Sequence, residues 1–179
     1  MNEIGVLTSR EIHSQYKSLK ETYSLLQEKK ADIIDFYNKN KPESIVLIGS
    51  GSSFHICKSA ALTINLHMGI KAMALAAGDL MLHADKYEPV LRNAWVIALS
   101  RSGSTHEVLN ALNIARENYG CKVICISCVK ESPITRVSDM SIEIPWSFDE
   151  SVCQTRSVSN LYAAVQLLTA ICCGNSQIE

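Results

Sequence analysis

Two short stretches rich in serine carry the side chains best suited to chemistry in this chain of 179 residues. The first runs from Gly49 to Ser53 and follows the apolar run Ile45 to Ile48, while the second runs from Ser100 to Thr105 and follows the apolar run Ala94 to Leu99. Apolar residues at helical spacing follow each stretch, which predicts a loop between a strand and a helix. Unpaired backbone N–H groups and the helix dipole favour an anion there. We therefore expect both loops to bind phosphate.

Small hydroxyl donors suit a phosphate monoester, because a dianion accepts many hydrogen bonds and glycine lets the backbone approach closely. The expected phosphate-binding residues are Ser53, Ser100, Ser102 and Thr105, together with Gly51 and Gly103. A purely structural interpretation exists for Ser102 and Thr105, since serine and threonine also close turns and cap helices. For one loop taken alone, that interpretation stays open.

Five apolar runs alternate with helical segments, which predicts a three-layer α/β fold of the flavodoxin type with a parallel sheet in the order 2-1-3-4-5. In that order, strands 1 and 3 are neighbours whose following helices lie on opposite faces of the sheet. Open α/β sheets bind ligands at this switch point. The two serine-rich loops are therefore expected to meet there, which favours the binding interpretation.

The sequence pattern predicts a helical arm over residues 1–43, followed by the α/β part over residues 44–179. Both are expected to belong to one structural domain. Thr8 and Glu11 fit a capping box at the start of the first helix. The residues that step by threes and fours along one face of this helix are Ile12, Tyr16, Leu19, Tyr23 and Leu26. Helical arms of this kind commonly pack across a dimer partner or a neighbouring domain.

Composition and motifs exclude several classes of function. The net charge is −1 with no basic run, which argues against a nucleic-acid surface. Neither a signal peptide nor a membrane-spanning stretch is recognised, so a cytoplasmic protein is expected. Phe54 replaces the third glycine of a dinucleotide fingerprint, and no nucleophile elbow or Walker loop occurs. Cys125 and Cys128 form a C-x-x-C pattern with no nearby histidine, so reduced thiols are expected rather than a metal or redox site.

Three stretches resemble the signature segments of the sugar isomerase (SIS) domain family. They are Gly49 to His55, Leu99 to Thr105 and Glu150 to Ser159. The stretch from Thr8 to Gln15 is also similar to the start of the branch with two SIS domains. That branch includes the isomerase half of glucosamine-6-phosphate synthase, the fructosamine deglycases and the tagatose or galactosamine-6-phosphate isomerase/deaminase proteins.

The resemblance implies a site for a hexose or amino-sugar 6-phosphate, with the phosphate held by the serine and threonine donors named above. Ser52, Arg101 and Thr155 are expected to contact the sugar. The family often has an acidic residue at the position of Ser104, and this departure weakens any inference about the choice of sugar.

An aldose-ketose isomerase needs a base to move a proton between C1 and C2. Glu150 is the carboxylate with an obvious route to the predicted crevice, and His55 and His106 are candidates for proton transfer or ring opening. Each also has a simple structural interpretation, because an acid favours a helix N-terminus and a histidine in a first turn is commonly packed or solvated. No metal and no organic cofactor is required.

In the branch with two SIS domains, the resemblance implies that the principal base and a ring-opening histidine lie beyond the first domain. The chain is therefore expected to be a fragment of a longer isomerase or deaminase, or a single-domain protein that needs a partner subunit. A homodimer or a second SIS domain is the expected partner. The alternative function is a non-catalytic module that senses a sugar phosphate and regulates a partner.

Overall fold

A computed structural model describes residues 5–174 as a single parallel sheet covered by helices. The strands are β1 (Ser44–Gly49), β2 (Lys71–Ala76), β3 (Ala94–Ser100), β4 (Lys122–Ser127) and β5 (Met140–Glu143). The helices of this part of the chain are α1 (Val6–Glu28), α2 (Lys30–Lys39), α3 (Ser52–His67), α4 (Ala77–His83), α5 (Glu88–Leu91), α6 (His106–Tyr119), α7 (Pro133–Arg136) and α8 (Arg156–Cys173). Within residues 5–174, no helix is both long enough and apolar enough to cross a membrane.

The sheet has the order β2-β1-β3-β4-β5, and each neighbouring pair is parallel, which confirms the predicted topology. Alternate residues of β1 point to opposite faces, so Ile45 and Leu47 join one half of the core and Val46 and Ile48 the other. Helices α1, α2, α3 and α8 cover the first face, and α4 to α7 cover the second. The helices after β1 and β3 therefore lie on opposite faces, as a binding crevice between these strands requires.

Trp95 of β3 packs against the end of α2 and connects it to the sheet. Its indole N–H donates to the backbone oxygen of Asn40 at 2.7 Å, and the rings of Phe36 and Tyr37 lie 5.3 and 5.6 Å from its ring centre. An indole buried in this way needs a partner for its N–H group, and the carbonyl at the end of the helix supplies one.

The start of α1 differs from the predicted capping box. The helix begins at Val6 after Gly5, which has a φ of 87° and makes no side-chain cap, so Thr8 lies inside the helix. Glu11 does not reach back to Thr8. Glu11 is 3% exposed, and its carboxylate accepts hydrogen bonds from Glu150 and Ser151, far along the chain. The prediction was wrong because the donors that Glu11 finds are tertiary, and no local spacing encodes them.

The inward side of α1 is mostly polar. Of the five residues of its predicted apolar face, Leu26 is fully buried in the core, Leu19 is half-buried, and the other three are exposed. Thr22 is completely buried, donates to Asn160 Oδ1 at 2.6 Å and accepts from Trp146 Nε1 at 2.9 Å. Asn160 of α8 also donates to Ser18 Oγ at 2.8 Å. Three large residues of the apolar face, which we call the α1 stripe, remain exposed: Ile12, Tyr16 and Tyr23.

Candidate functional site

The loops after β1 and β3 meet at the carboxyl end of the sheet and form a small cavity between them. Its volume is about 130 Å³. The residues that line this cavity are Ser50, Ser53, Leu99, Ser100, Arg101, Ser102, Thr105, Val108 and Gln154. All four side chains expected to donate to a phosphate are among them, so the structure brings together the residues that the sequence placed in two separate loops.

Gly49 lets the first helix of the site begin directly against the end of β1. A β-carbon at this position would lie 2.8 Å from the backbone carbon of Ser53 and 2.9 Å from the nitrogen of Phe54. These distances are shorter than side chains tolerate, so only glycine allows α3 to start so close to the strand. Gly51, at the N-cap of α3, has a φ of 58° and makes no side-chain cap. The first-turn N–H groups of α3 therefore gain no side-chain partner at this cap.

Gly103 gives the second loop its tight path. Its φ is 64°, and a β-carbon would lie only 2.3 Å from the β-carbon of Ser132. The carbonyl of Gly103 accepts from the N–H of Ile134 at 3.1 Å, which ties the loop to the segment after β4. The N–H of Gly103 donates to Ser100 Oγ at 3.0 Å. Gly103 is buried and does not line the cavity, so it shapes the loop from behind.

The hydroxyl groups of the second loop keep hydrogen-bonding capacity that a ligand can use. Ser100 Oγ accepts from Gly103, and its own proton is then free to donate. Ser102 Oγ accepts from the N–H of Ser104 at 3.3 Å, a long contact. Thr105 stands at the N-cap of α6 but makes no side-chain cap. The structural interpretation as a helix cap therefore does not account for Thr105.

Arg101 supplies the positive charge of the cavity. Its guanidinium group donates from Nη1 to the backbone oxygen of Ser151 at 3.0 Å and lies 5.9 Å from the ring centre of Phe148. The side chain is half-buried. Because both contacts come from the segment after β5, Arg101 connects the second loop to that segment.

We call residues 148–155 the closing loop, because Gln154 from this loop forms one wall of the cavity. Asp149, which is 1% exposed, accepts from the N–H groups of Thr155 and Ser157 at 2.8 and 3.0 Å and from Ser157 Oγ at 2.6 Å. This carboxylate stabilises the start of α8, where unpaired N–H groups favour an acid. Thr155 Oγ1 is buried and has no hydrogen-bond partner within the described chain.

Several expected site residues lie outside the cavity wall. Ser52, His55, His106 and Glu150 are exposed and do not line the cavity, and Gly51 is exposed at the N-cap of α3. The backbone N–H of Glu150 is occupied by Glu11, while its side chain faces solvent. The catalytic roles of Glu150 and His55 and the sugar contact of Ser52 therefore stay predictions.

The two cysteines of the C-x-x-C pattern are buried and protonated. Burial raises the pKa of both Cys125 and Cys128 to about 12. The thiol of Cys125 donates to the carbonyl of Ile134 at 3.2 Å, so it serves as a packed donor in the core. A thiol with such a raised pKa is a poor nucleophile and a poor metal ligand at neutral pH.

Sequence reasoning missed two residues at this site. An amide in a loop has no periodic signal, so periodicity does not identify Gln154. It stands, however, at a loop-to-helix junction like those of Ser53 and Thr105. The spacing of Thr8 and Glu11 predicts a local cap, which hides the tertiary role of Glu11. A carboxylate that shares the inward side of a helix with Ser18 and Thr22 is a signal for a tertiary contact.

The sequence model of the SIS domain family matches residues 38–171. This match covers most of the chain, so the chain belongs to the SIS domain family, as its three signature segments predicted.

Known proteins with related sequences or folds include two that are named as enzymes. Glutamine–fructose-6-phosphate aminotransferase (isomerizing) from Sulfurisphaera tokodaii is 27% identical over 167 residues, which cover 90% of this chain and 26% of that protein. Tagatose-6-phosphate ketose/aldose isomerase from Escherichia coli has a TM-score of 0.84 at 21% identity, over 93% of this chain and 48% of that chain. The Vibrio vulnificus NanR protein complexed with ManNAc-6P has a TM-score of 0.69 at 22% identity, over 92% of this chain and 60% of that chain. The chain spans about a quarter of the length of the curated relatives it matches.

Proposed function

We propose that the cavity binds the phosphate group of a hexose or amino-sugar 6-phosphate. The observation that carries this proposal is that four hydroxyl-bearing residues and one arginine line a single small cavity at the start of α3 and α6. A phosphate dianion accepts hydrogen bonds from all of these donors, and the helix N-termini add a favourable potential.

The size of the cavity supports a phosphate rather than a whole sugar. Its volume is about 130 Å³, whereas sites that enclose a drug-sized ligand measure roughly 300 to 1,000 Å³. The sugar would therefore extend from the phosphate towards the closing loop. There we assign sugar contacts to Arg101, Thr155, Gln154 and Ser52. The hydroxyl of Thr155 has no protein partner in the described chain and does not line the cavity, so its contact with the sugar requires the closing loop to move.

We further propose a reaction that moves a proton between C1 and C2 of the bound sugar phosphate. This chemistry serves an aldose-ketose isomerisation and also the isomerisation or deamination of an amino-sugar phosphate. Glu150 and His55 are the candidate acid-base groups, since both are exposed on segments beside the cavity and a base is required. The proposed step needs no metal and no organic cofactor.

A second SIS unit, in a longer polypeptide or in a second copy of this chain, is proposed to complete the active site. The α1 stripe supports this proposal, because Tyr16 is 78% exposed and Ile12 and Tyr23 lie beside it on one helix face. The length of the curated relatives also leaves room for further units. In this arrangement residues 1–43 form an arm, and residues 44–179 form the binding domain.

Thermal unfolding with matched ligands tests the phosphate site. A ligand that binds only the folded state stabilises it, by about 2.7 kcal/mol at a hundred times its dissociation constant. We expect fructose 6-phosphate or glucosamine 6-phosphate to raise the melting temperature of the chain and fructose to leave it unchanged. Equal shifts with fructose and fructose 6-phosphate, or no shift with either phosphate, would remove the proposal.

The same samples separate an enzyme from a sensor. Interconversion of fructose 6-phosphate and glucose 6-phosphate, or release of ammonia from glucosamine 6-phosphate, can be followed by NMR. Turnover by the chain would show that no second unit is needed. Binding without turnover agrees with a missing second unit or with a sensing module. Turnover that appears when a second SIS unit is added would favour the enzyme over the sensor.

A further inference from the structure

Glu11 makes the most specific contact between the helical arm and the rest of the molecule. One carboxylate oxygen accepts from the N–H of Glu150 at 2.7 Å and from the N–H of Ser151 at 3.0 Å. The other oxygen accepts from the hydroxyl of Ser151. The side chain is buried, and a charge taken out of water is tolerated only when hydrogen bonds replace its hydration. Three donors from two adjacent residues of the closing loop meet that need.

Ser151 is hydrogen-bonded to both Glu11 and Arg101. Arg101 donates to the carbonyl of Ser151, so Ser151 is fixed from the arm on its N–H side and from the cavity on its carbonyl side. The hydroxyl of Ser151 also contacts the carbonyl of Cys153 at 2.8 Å. The next residue is Gln154, which forms the wall of the cavity.

A chain of short contacts therefore runs from α1 to the cavity. Asp149 fixes the beginning of the same loop against the start of α8. The backbone of this loop is also held from the arm, because the side chain of Glu11 accepts from two of its N–H groups. Without that carboxylate, two buried or half-buried N–H groups lose their partner, and the cost of leaving them unpaired favours a different loop path.

We propose that Glu11 is a positioning residue for the sugar-phosphate site, acting through Glu150 and Ser151 to place Gln154 and Arg101 against the ligand. The inference rests on the proposed function, since it assigns a role in the binding of the same sugar phosphate. The helical arm then contributes to ligand binding without touching the ligand.

The test compares Glu11→Ala with Thr22→Val in the full chain. Thr22 is a suitable control because it is equally buried in α1 and makes equally short contacts, but to Asn160 and Trp146 rather than to the closing loop. Both variants are expected to lower the melting temperature. Isothermal titration with fructose 6-phosphate is expected to show a dissociation constant raised about 2- to 150-fold for Glu11→Ala, the range in which residues of one hydrogen-bond network couple. The dissociation constant of Thr22→Val should be unchanged.

Two further measurements separate positioning from general destabilisation. In a Gln154→Ala background, Glu11→Ala should raise the dissociation constant by a smaller factor than in the original chain, because one of the two side chains that it places is already gone. Hydrogen exchange without ligand should be faster at the amides of Glu150 and Ser151 in Glu11→Ala and unchanged there in Thr22→Val. If Glu11→Ala does not fold, Glu11→Gln keeps an acceptor oxygen for these amides and is expected to weaken binding to a smaller degree.

The outcomes are distinct. An unchanged dissociation constant in the Glu11 variants, with fructose 6-phosphate bound by the original chain, overturns the positioning role alone. An equal loss of affinity in Thr22→Val also overturns it, because stability would then explain the effect. Absence of binding by the original chain overturns the proposed function and this inference together.

Discussion

Replacing Ser102 with alanine removes one hydroxyl group from the cavity and changes little else. Ser102 is half-buried, and its Oγ accepts a single long hydrogen bond, at 3.3 Å, from the N–H of Ser104. Loss of so weak a bond at a partly exposed position should change the free energy of unfolding by less than about 0.5 kcal/mol. A change in ligand affinity can therefore be measured on a protein of nearly unchanged stability.

The expected loss of affinity follows from the charge on the ligand. A hydrogen bond to a charged group contributes about 1.5 to 3 kcal/mol net, and about 1.4 kcal/mol corresponds to a tenfold change in dissociation constant. Ser102→Ala should therefore raise the dissociation constant for fructose 6-phosphate by about 10- to 150-fold. Ser53, Ser100 and Thr105 still line the cavity in this variant, so binding is weakened and not abolished.

Isothermal titration calorimetry with fructose 6-phosphate measures this effect. Ser104→Ala is the matched control, because Ser104 is exposed in the same loop and does not line the cavity. Its dissociation constant should equal that of the original chain. The reasoning is refuted if Ser102→Ala binds as tightly as the original chain, or if Ser104→Ala weakens binding to the same degree.

Two other predictions concern stability and thiol chemistry. Gly103→Ala should lower the free energy of unfolding by about 2 to 5 kcal/mol, from a left-handed backbone and from the clash with Ser132. Gly120 has the same φ of 64° but open space around it, so Gly120→Ala should lower the free energy of unfolding by only about 1 to 2 kcal/mol. Urea unfolding measures both values, and equal losses would contradict the packing argument. Burial raises the pKa of Cys125 to about 12, so a thiol reagent at pH 8 should label the exposed Cys153 first and Cys125 only on unfolding, as mass spectrometry can show. The unfolded thiol ionises from about pH 9 while the folded thiol stays protonated, so stability should fall from about pH 9 to 12, and a Cys125→Ala variant should lose less over that range.

The sheet and the meeting of the two loops could be predicted from the sequence for a physical reason. Strands buried on both faces have continuous apolar runs, such as Ile45 to Ile48, and these runs end sharply where the serines begin. Once the strand order follows from right-handed crossovers, the positions of both loops follow as well. The meeting of the four hydroxyl residues at one cavity could therefore be predicted without knowledge of side-chain packing.

The closing loop and the arm could not be predicted in the same way. Glu11 lies 139 residues from Glu150 along the chain, and the pattern of Thr8 and Glu11 resembles a local cap. A contact over that separation depends on how α1 packs on α8, which periodicity does not describe. Gln154 joins the cavity for the same reason, because the path of its loop is set by Glu11, Asp149 and Arg101 together.

The polar contacts on the inward side of α1 fix the register of this helix against the rest of the chain. Thr22 is fixed by Asn160, and Glu11 is fixed by Ser151, eleven residues earlier in the same helix. At a rise of 1.5 Å per residue these two attachment points lie about 16 Å apart. Directional hydrogen bonds at both points leave little freedom for α1 to shift along its neighbour. One residue inserted between them would turn Glu11 by about 100° around the helix axis, so α1 serves as a rigid spacer of fixed register.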